Sequence, residues 1–296
     1  MSIAIDTRRE ETPSAQGSIR EPDVPPTLID RAAQRPSWVA SLASILAYRE
    51  LIRNLVLKDL KLKYRGSVLG FLWSLVNPLA MVGVYTLAFK YILGVRQPGF
   101  PFFILLGVMA WTFFANSAML ATGALIEGGS LVKAVRFPRA ILPLATVLFS
   151  LIQYVLTIVT LLPLMFLLYK VPPAGPLVLF PVFLALQLAF TVGVSLMLAA
   201  TTTFFRDVRH FVEIGLSMLF WTTPIVYPLT QAPDWLRPAL LMSPMSPFIV
   251  AYQQIFYDGQ WPGPWVWVAA AGYGLVTFAL GSVWFMSIED RLGERL

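Results

Sequence analysis

Apolar residues form long segments that are separated by short polar ones. Six segments of 19 to 29 residues contain few charges, at about 71–94, 102–124, 141–169, 177–204, 211–229 and 264–287. About 20 apolar residues in a helix are enough to cross the ~30 Å hydrocarbon core of a bilayer. The pattern predicts an all-α integral membrane protein with six transmembrane helices, called spans one to six below.

Two shorter apolar stretches lie between spans five and six, at residues 236–242 and 248–257. At about 1.5 Å per helical residue, neither is long enough to cross the hydrocarbon core. We therefore expect a re-entrant or surface helix pair in this part of the chain.

The segment before span one is amphipathic. From residue 48, apolar side chains share one face of a helix and polar side chains share the other, which predicts an N-terminal interfacial helix within 38–70. Leu57 and Leu60 leave the apolar face, so the face rotates or the helix breaks before residue 61. Residues 1–37 contain five prolines among mixed charges and predict a disordered cytoplasmic tail. The polar stretch 6–11 argues against a cleaved secretory signal.

The composition excludes several classes of function. The chain is 57% hydrophobic and 13% charged, with a mean hydropathy of +0.70, whereas a soluble domain has about 25% charged residues. It contains no cysteine and one histidine, His210, which argues against disulfides and against thiolate or His-rich metal sites. We find no Walker-type, nucleophile-elbow or dinucleotide-binding motif. We therefore predict that the chain is not an enzyme and binds no metal or cofactor.

Basic residues are distributed unequally between the two sides of the predicted membrane. The tail with the interfacial helix, the 125–140 and 205–210 loops and the C-terminus together hold 18 Lys and Arg residues, and the other side holds 4. Because cytoplasmic loops are enriched in Lys and Arg, this bias predicts that both termini are cytoplasmic. The net charge of +6 thus reports orientation, and nucleic acid is not expected as a partner.

The 125–140 loop is the most informative of the predicted cytoplasmic segments. A short apolar edge, flanked by Lys133 and Arg136, follows Ser130 as a possible helix N-cap and ends at Pro138. Such a helix could dock a partner protein, or its charges could serve only to fix the topology. The residues alone leave both interpretations open.

Two further polar features lie near span ends. Asn77 and Pro78 should interrupt span one, because proline removes a backbone donor and disfavours helix before it, so we predict a hinge there. Glu213 lies about one helical turn from Arg206 and Arg209, which favours a local charge network.

Four separated motifs, in order, resemble the permease subunit of ABC transporters that export polysaccharides such as O-antigen, teichoic acid and capsular glycans. The motifs are KYRGSVLGFLWSLVNP at 63–78, LVKAVRFPRAILP at 131–143, FRDVRH at 205–210 with TPIVYP at 223–228, and SPMSP at 243–247. The similarity covers residue 45 to the end. Gly128, Gly129 and Ala134 depart from the family's polar and basic residues in the loop.

The resemblance implies that residues 71–296 are the six-span domain of a half transporter. Such a permease forms a homodimer in the bacterial cytoplasmic (inner) membrane and binds two copies of a separate ATPase, which holds ATP and Mg²⁺. It also implies that the loop between spans two and three is a coupling helix seated on the ATPase. The coupling residues would be Ser130, Leu131, Val132, Lys133, Val135, Arg136, Phe137 and Arg139.

The substrate implied is a long polysaccharide on a polyprenyl pyrophosphate in the membrane. Aromatic side chains near mid-bilayer could let sugar rings slide past, or they could simply pack the helices. The candidate path residues are Trp111, Phe113, Phe114, Asn116, Phe220 and Trp221.

A basic cluster lies where the interfacial helix meets span one, from Arg53 to Arg65. Cations at headgroup depth attract anionic lipids at about 1 kcal/mol each, so Arg53, Lys63 and Arg65 are candidates for pyrophosphate contact. The alternative is that they hold the helix on anionic lipid and enforce the topology.

The rival function is a secondary transporter or channel that works alone. It would require ion-coupling groups within the membrane or an inverted repeat. The sequence displays neither paired carboxylates within the spans nor an internal repeat.

Overall fold

The computed structural model describes residues 48–135, 137–170 and 175–295, and the tail predicted at 1–37 lies outside this part of the chain. Within these ranges the chain forms ten α-helices, short 3₁₀ and π-helical segments, and no β-strand. The predicted all-α class is confirmed. The helices are α1 Arg49–Tyr64, α2 Leu72–Tyr85, α3 Phe100–Glu127, α4 Gly129–Ala134, α5 Ile141–Tyr169, α6 Phe180–Phe204, α7 Val208–Thr222, α8 Arg237–Leu241, α9 Ser246–Tyr252 and α10 Pro264–Arg295.

Five helical stretches in the described ranges are long and apolar enough to cross a bilayer. They correspond to predicted spans one, two, three, four and six, and have mean hydropathies of 1.5 to 2.3. The chain is therefore a multi-pass membrane protein. These stretches are Leu72–Ile92, Phe100–Glu127, Ile141–Tyr169, Gly175–Phe204 and Pro264–Glu289.

Predicted span five differs from the others. Its helix, α7, has 15 residues and is therefore about 22 Å long. It ends at Thr222 because Thr223, whose ψ is 138°, precedes Pro224 and is extended. The remainder of the predicted span is a buried non-helical segment that includes Ile225 and Val226. Span five is thus a short helix with an extended continuation.

Helix α1 runs without a break from Arg49 to Tyr64, so it does not break before residue 61. Its apolar side packs on the start of α5, where Val56 meets Ala145 and Phe149. The helix ends at Tyr64, because Arg65 is extended with ψ 124°, and the left-handed φ of 73° at Gly66 turns the chain toward α2. The amphipathic pattern thus faces a neighbouring helix, while the interfacial location of α1 stays a prediction.

We expected Asn77 and Pro78 to interrupt span one. Helix α2 instead continues through Pro78. Pro78 is the seventh residue of this helix, where proline removes the hydrogen bond to the carbonyl four residues earlier. The regular α-helix ends later, where a π-helical segment, Thr86–Ile92, completes the span. The hinge role of Asn77 and Pro78 stays a prediction.

Helix α3 is the centre of the bundle. It begins after Gly99, which is left-handed with φ 59°, and has proline in its first turn. Its residues are mostly buried, and the helix packs against α2, α5, α6, α7 and α9. Helix α3 is therefore surrounded by the helices of spans one, three, four and five, whereas α10 packs mainly on α6.

Helices α6 and α10 approach each other closely through glycines. A Cβ atom at Gly281 would lie 2.2 Å from the Gly193 carbonyl oxygen, and one at Gly193 would lie 2.3 Å from the Thr277 carbonyl oxygen. Small residues let membrane helices bring their backbones into contact. The two glycines thus make α6 and α10 a tightly joined pair.

The two short helices α8 and α9 occur where the sequence predicted a helix pair. Helix α9 is fully buried, and the Tyr252 hydroxyl donates a hydrogen bond to Gln187 Oε1 at 2.7 Å. Gln187 Nε2 in turn donates to the Ala110 carbonyl at 3.0 Å. This buried chain ties α9 to α6 and α3, while a re-entrant position in a bilayer stays a prediction.

Candidate functional site

The segment between α3 and α5 carries most of the predicted coupling residues. Helix α4 begins at Gly129, with Gly128 at the cap position, so the N-cap predicted at Ser130 is wrong. Leu131 and Val132 are partly buried against the core, whereas the side that points away is exposed. The exposed residues are Ser130, Lys133, Ala134 and Val135. Arg136 lies outside the described residues.

This segment is anchored to the end of α10. The Arg139 backbone N–H donates to Glu289 Oε1 at 3.0 Å, and the Arg139 guanidinium donates to the Glu289 carbonyl. Phe137 is partly buried against the core. Phe137 and Arg139 therefore attach the segment to the bundle. In contrast, Ser130, Lys133, Ala134 and Val135 are exposed.

A polar cleft opens between α1, α2, α3 and α5, with a volume of about 230 Å³. It brings together side chains that the sequence assigned to three different roles: Lys63 for the headgroup, Asn77 and Pro78 for the hinge, and Phe113 and Asn116 for the path. The remaining lining residues are Trp73, Ser74, Met109, Thr112, Ser150, Gln153, Tyr154 and Thr157. No carboxylate is among them.

Lys63 is the cation of this cleft. Its ammonium donates to Gln153 Oε1 and lies 5.8 Å from the centre of the Phe149 ring. Lys63 forms no ion pair within the described part of the chain. Although the residue as a whole is exposed, partial burial of the ammonium lowers its pKa, because desolvation disfavours the charged form.

The other two headgroup candidates are placed differently. Arg53 is exposed and pairs with Glu50 on its own helix at 3.5 Å, whereas Arg65 is exposed beyond the end of α1. Neither of them lines the cleft.

Four of the six path candidates are buried within the protein. Trp111 and Phe220 make an edge contact with a 5.6 Å centroid separation; Phe114 packs at 5.2 Å from Phe190, and Phe113 stacks on Tyr154 at 5.3 Å. Packing between helices is therefore enough to explain why these four side chains are buried.

The two remaining path candidates, Trp221 and Asn116, are exposed. Trp221 has 54% of its surface exposed, against 8% for Trp111, and its ring makes an edge contact with Tyr85 of α2. Asn116 opens into the cleft and hydrogen-bonds to no described residue. Within a single chain, these two residues are free to meet a ligand.

A polar stripe on α7 was not predicted from the sequence. His210, Glu213, Ser217 and Trp221 are all exposed, and their spacing of three or four residues puts them on one face of the helix. The charge network predicted for Glu213 is absent, since neither Arg206 nor Arg209 pairs with it among the described ion pairs. The helical period of polar residues within an otherwise apolar segment is the signal that could have revealed the stripe.

Comparison with known proteins identifies the family. The family described as ABC-2 type transporter matches residues 50–257, which include α4, the cleft and the stripe on α7. This chain belongs to the ABC-2 type transporter family.

The curated relatives of this ABC-2 transporter chain are named for the export or transport of polysaccharides. Over 254 residues it is 36% identical to the O-antigen export system permease protein RfbA of Myxococcus xanthus, covering 84% of this chain and 96% of that protein. It is 31% identical to the Klebsiella pneumoniae protein of the same name over 202 residues, covering 68% and 78% of the two chains. The polysialic acid transport protein KpsM of Escherichia coli is 23% identical over 203 residues, covering 66% and 76%. The resemblance to polysaccharide-exporting ABC permeases is confirmed.

Proposed function

We propose that this chain is the transmembrane subunit of an ATP-driven exporter that moves polyprenyl-pyrophosphate-linked polysaccharide outward across the bacterial cytoplasmic membrane. Two copies of the chain would assemble with two copies of a separate ABC ATPase. ATP and Mg²⁺ would be held by the ATPase, and both termini of the permease would face the cytoplasm. Membership of the ABC-2 family, together with relatives named for O-antigen export, supports this proposal.

The single structural observation that carries the proposal is the two-sided segment between α3 and α5. One side, Ser130, Lys133 and Val135, is exposed, so a partner can reach it without unfolding the bundle. The other side is fixed by Phe137 and by the contact between Arg139 and Glu289. A push on the exposed side would therefore be transmitted to α10 and, through the glycine contact, to α6.

A second copy of the chain would account for the exposed side of α7. Glu213 and Ser217 lie on a helix with few buried residues, and a carboxylate is costly to expose to lipid. In a homodimer this stripe would face a shared, water-filled path between the two copies. Trp221 at the end of the stripe would offer a flat surface on which sugar rings can slide.

The basic residues of α1 and its C-terminal end fit an anionic lipid headgroup. Arg53 and Arg65 are exposed and would attract the pyrophosphate to the membrane surface through general electrostatic attraction. Asn77 and Pro78 would let the start of α2 bend as the path opens, because proline leaves one carbonyl without its helical partner.

The experiment that tests the proposal uses the permease reconstituted with its ATPase in vesicles. We expect ATP to drive movement of the lipid-linked polysaccharide, and we expect Lys133→Glu combined with Val135→Asp to abolish both transport and co-purification of the ATPase. Lys170→Glu is the matched control, because Lys170 is an exposed lysine outside α1 and outside the loop between α3 and α5.

Two results would contradict the proposal. One is unchanged co-purification and transport in the Lys133 and Val135 variant. The other is transport that is driven by an ion gradient with no ATPase present, which would favour the stand-alone transporter or channel.

A further inference from the structure

The cleft between α1, α2, α3 and α5 contains an unbalanced positive charge in a partly desolvated place. The Lys63 ammonium reaches a wall of this cleft, and its hydrogen-bond acceptor there is the neutral amide oxygen of Gln153. Burial of a cation is costly unless an anion pairs with it. The cleft therefore favours a ligand that brings a negative charge.

The other polar side chains of the cleft suit a group with several oxygen acceptors. The amides of Asn77 and Asn116 hydrogen-bond to no described residue, and each carries two N–H donors. The Gln153 amide nitrogen adds further donors from α5, on the wall that Lys63 contacts. Because no carboxylate lines the cleft, nothing on its walls would repel an anion.

Several hydroxyl groups of the cleft are already committed to the protein. Thr112, Ser150 and Thr157 donate to carbonyls of their own helices, and the Ser74 hydroxyl pairs with Tyr64 at 2.6 Å. These bonds leave the lysine, the three amides and the indole N–H of Trp73 as the donors of the lining that are available to a ligand. Three amides and one ammonium match a phosphate, whose oxygens accept several hydrogen bonds at once.

Size and location indicate what carries the phosphate. At about 230 Å³ the cleft is smaller than the roughly 300–1,000 Å³ typical of sites for drug-sized ligands, so it suits one headgroup better than a polymer. It opens between a span and the amphipathic helix α1, and Trp73 with 54% exposure lies at its edge. A lipid headgroup can reach it while the acyl or prenyl chain stays beside α2.

We propose that this cleft binds the phosphate group of a lipid headgroup, with the Lys63 ammonium as its cation and Gln153, Asn116 and Asn77 as hydrogen-bond donors. The contact between Lys63 and Gln153 then holds the cation in place until the ligand takes the position of the amide oxygen. A phosphate oxygen is the better partner, because it adds the attraction between opposite charges to the hydrogen bond that the ammonium already makes with a neutral amide. The choice of polyprenyl phosphate as the first probe rests on the proposed function, whereas the phosphate chemistry does not.

The test measures binding and needs no transport. The full-length permease with its ATPase is placed in micelles of dodecyl maltoside, which contain no phosphate, and retention of labelled polyprenyl phosphate is compared with retention of uncharged polyprenol. We expect selective retention of the phosphate form. Lys63→Gln should weaken it about tenfold or more, as expected for the loss of a hydrogen bond to a charged group.

Three variants keep the result interpretable. Lys63→Arg should retain binding because it keeps the charge, and Lys61→Gln, on the same helix but outside the cleft, should weaken binding much less than Lys63→Gln does. Gln153→Glu leaves Lys63 intact and puts a carboxylate beside it, so it should abolish binding by pairing with the ammonium and repelling the phosphate. This last variant decides the question if Lys63→Gln fails to fold.

Competition identifies the source of the phosphate. Displacement by phosphatidylglycerol would support a general phospholipid headgroup, and displacement only by unlabelled polyprenyl phosphate would support the carrier lipid. Equal retention of polyprenol and polyprenyl phosphate would overturn the proposal. Displacement by inorganic phosphate but by neither lipid would also overturn it, and so would unchanged binding in both Lys63→Gln and Gln153→Glu. Selective binding in a complex that transports no glycan would refute the proposed function but support the phosphate site. Glycan transport without selective binding would refute the phosphate site but support the proposed function.

Discussion

Replacing Gly281 with alanine should separate α6 and α10, the most closely packed pair among the described helices. The new Cβ atom would lie 2.2 Å from the Gly193 carbonyl oxygen, and ordinary contacts begin at 3.4 Å. The backbones of α6 and α10 must therefore move apart by about 1.2 Å, a gap large enough to lose much of the dispersion energy along the contact. The neighbour is backbone, so no side chain can rotate away to relieve the clash.

The expected destabilisation can be isolated with a second glycine on the same helix. Gly272 has open space around its Cβ position, so Gly272→Ala gains the same helix propensity, about 1 kcal/mol, without a clash. The difference between the two variants then measures the steric cost alone, about 1–3 kcal/mol for an overpacked contact. At about 2–4 °C per kcal/mol for a domain of this size, this lowers the unfolding temperature by roughly 2–12 °C.

The assay is thermal unfolding of the purified protein in detergent, followed by the fraction that remains monodisperse on size-exclusion chromatography. Gly281→Ala should unfold below Gly272→Ala, and Gly193→Ala should behave like Gly281→Ala because it meets the Thr277 carbonyl at 2.3 Å. Equal unfolding temperatures for Gly281→Ala and Gly272→Ala would refute the close backbone contact.

Three further predictions concern the path, the α4 segment and the cleft. Trp111→Ala should lower folded yield, with a cost of about 3–5 kcal/mol for a buried aromatic, whereas Trp221→Ala should leave yield intact and slow glycan transport in vesicles; the opposite ranking would contradict the assignment. Glu289→Ala should leave ATP hydrolysis less responsive to the glycan lipid, because the Arg139 N–H loses its acceptor, whereas Glu289→Gln should preserve the response; equal behaviour of both would argue against this anchor. Because burial lowers the pKa of Lys63, its positive charge is present at lower pH and is lost as the pH rises. Retention of the phosphate lipid should therefore fall at a lower pH in the unmodified protein than in Lys63→Arg. Identical pH profiles would argue against Lys63 as the cation that binds the phosphate.

Hydropathy was enough to locate the long helices because crossing a bilayer imposes a length and a composition that are visible in one dimension. Five of the six predicted spans are long apolar helices. Span five, at α7, was predicted too long. Its hydropathy is an average over apolar residues, and this average does not register that Pro224 disfavours a helical conformation at Thr223. Two errors at helix ends, at α1 and at Ser130, arose in the same way from local signals that neighbouring residues outweighed.

The cleft could not be predicted from the sequence. Lys63, Asn77, Asn116 and Gln153 lie on four different helices, and only the packing of α1 on α5 brings the first of them to the last. Each residue by itself had an ordinary explanation as a surface cation, a hinge neighbour or a lone polar side chain. The predicted coupling residues could be grouped without a structure, because they are contiguous in one loop and the family resemblance implies a role for that loop.

The buried hydrogen bonds of Gln187 have a consequence for how the bundle can move. Its amide is satisfied on both sides, by Ala110 and by Tyr252, and the residue is fully buried. A slide of α3 past α6 by one residue would leave this amide unpaired in an apolar medium, at a cost of about 1–3 kcal/mol. Conformational change in this protein should therefore proceed by rocking of whole helix groups, with the sequence register between α3, α6 and α9 preserved throughout the cycle.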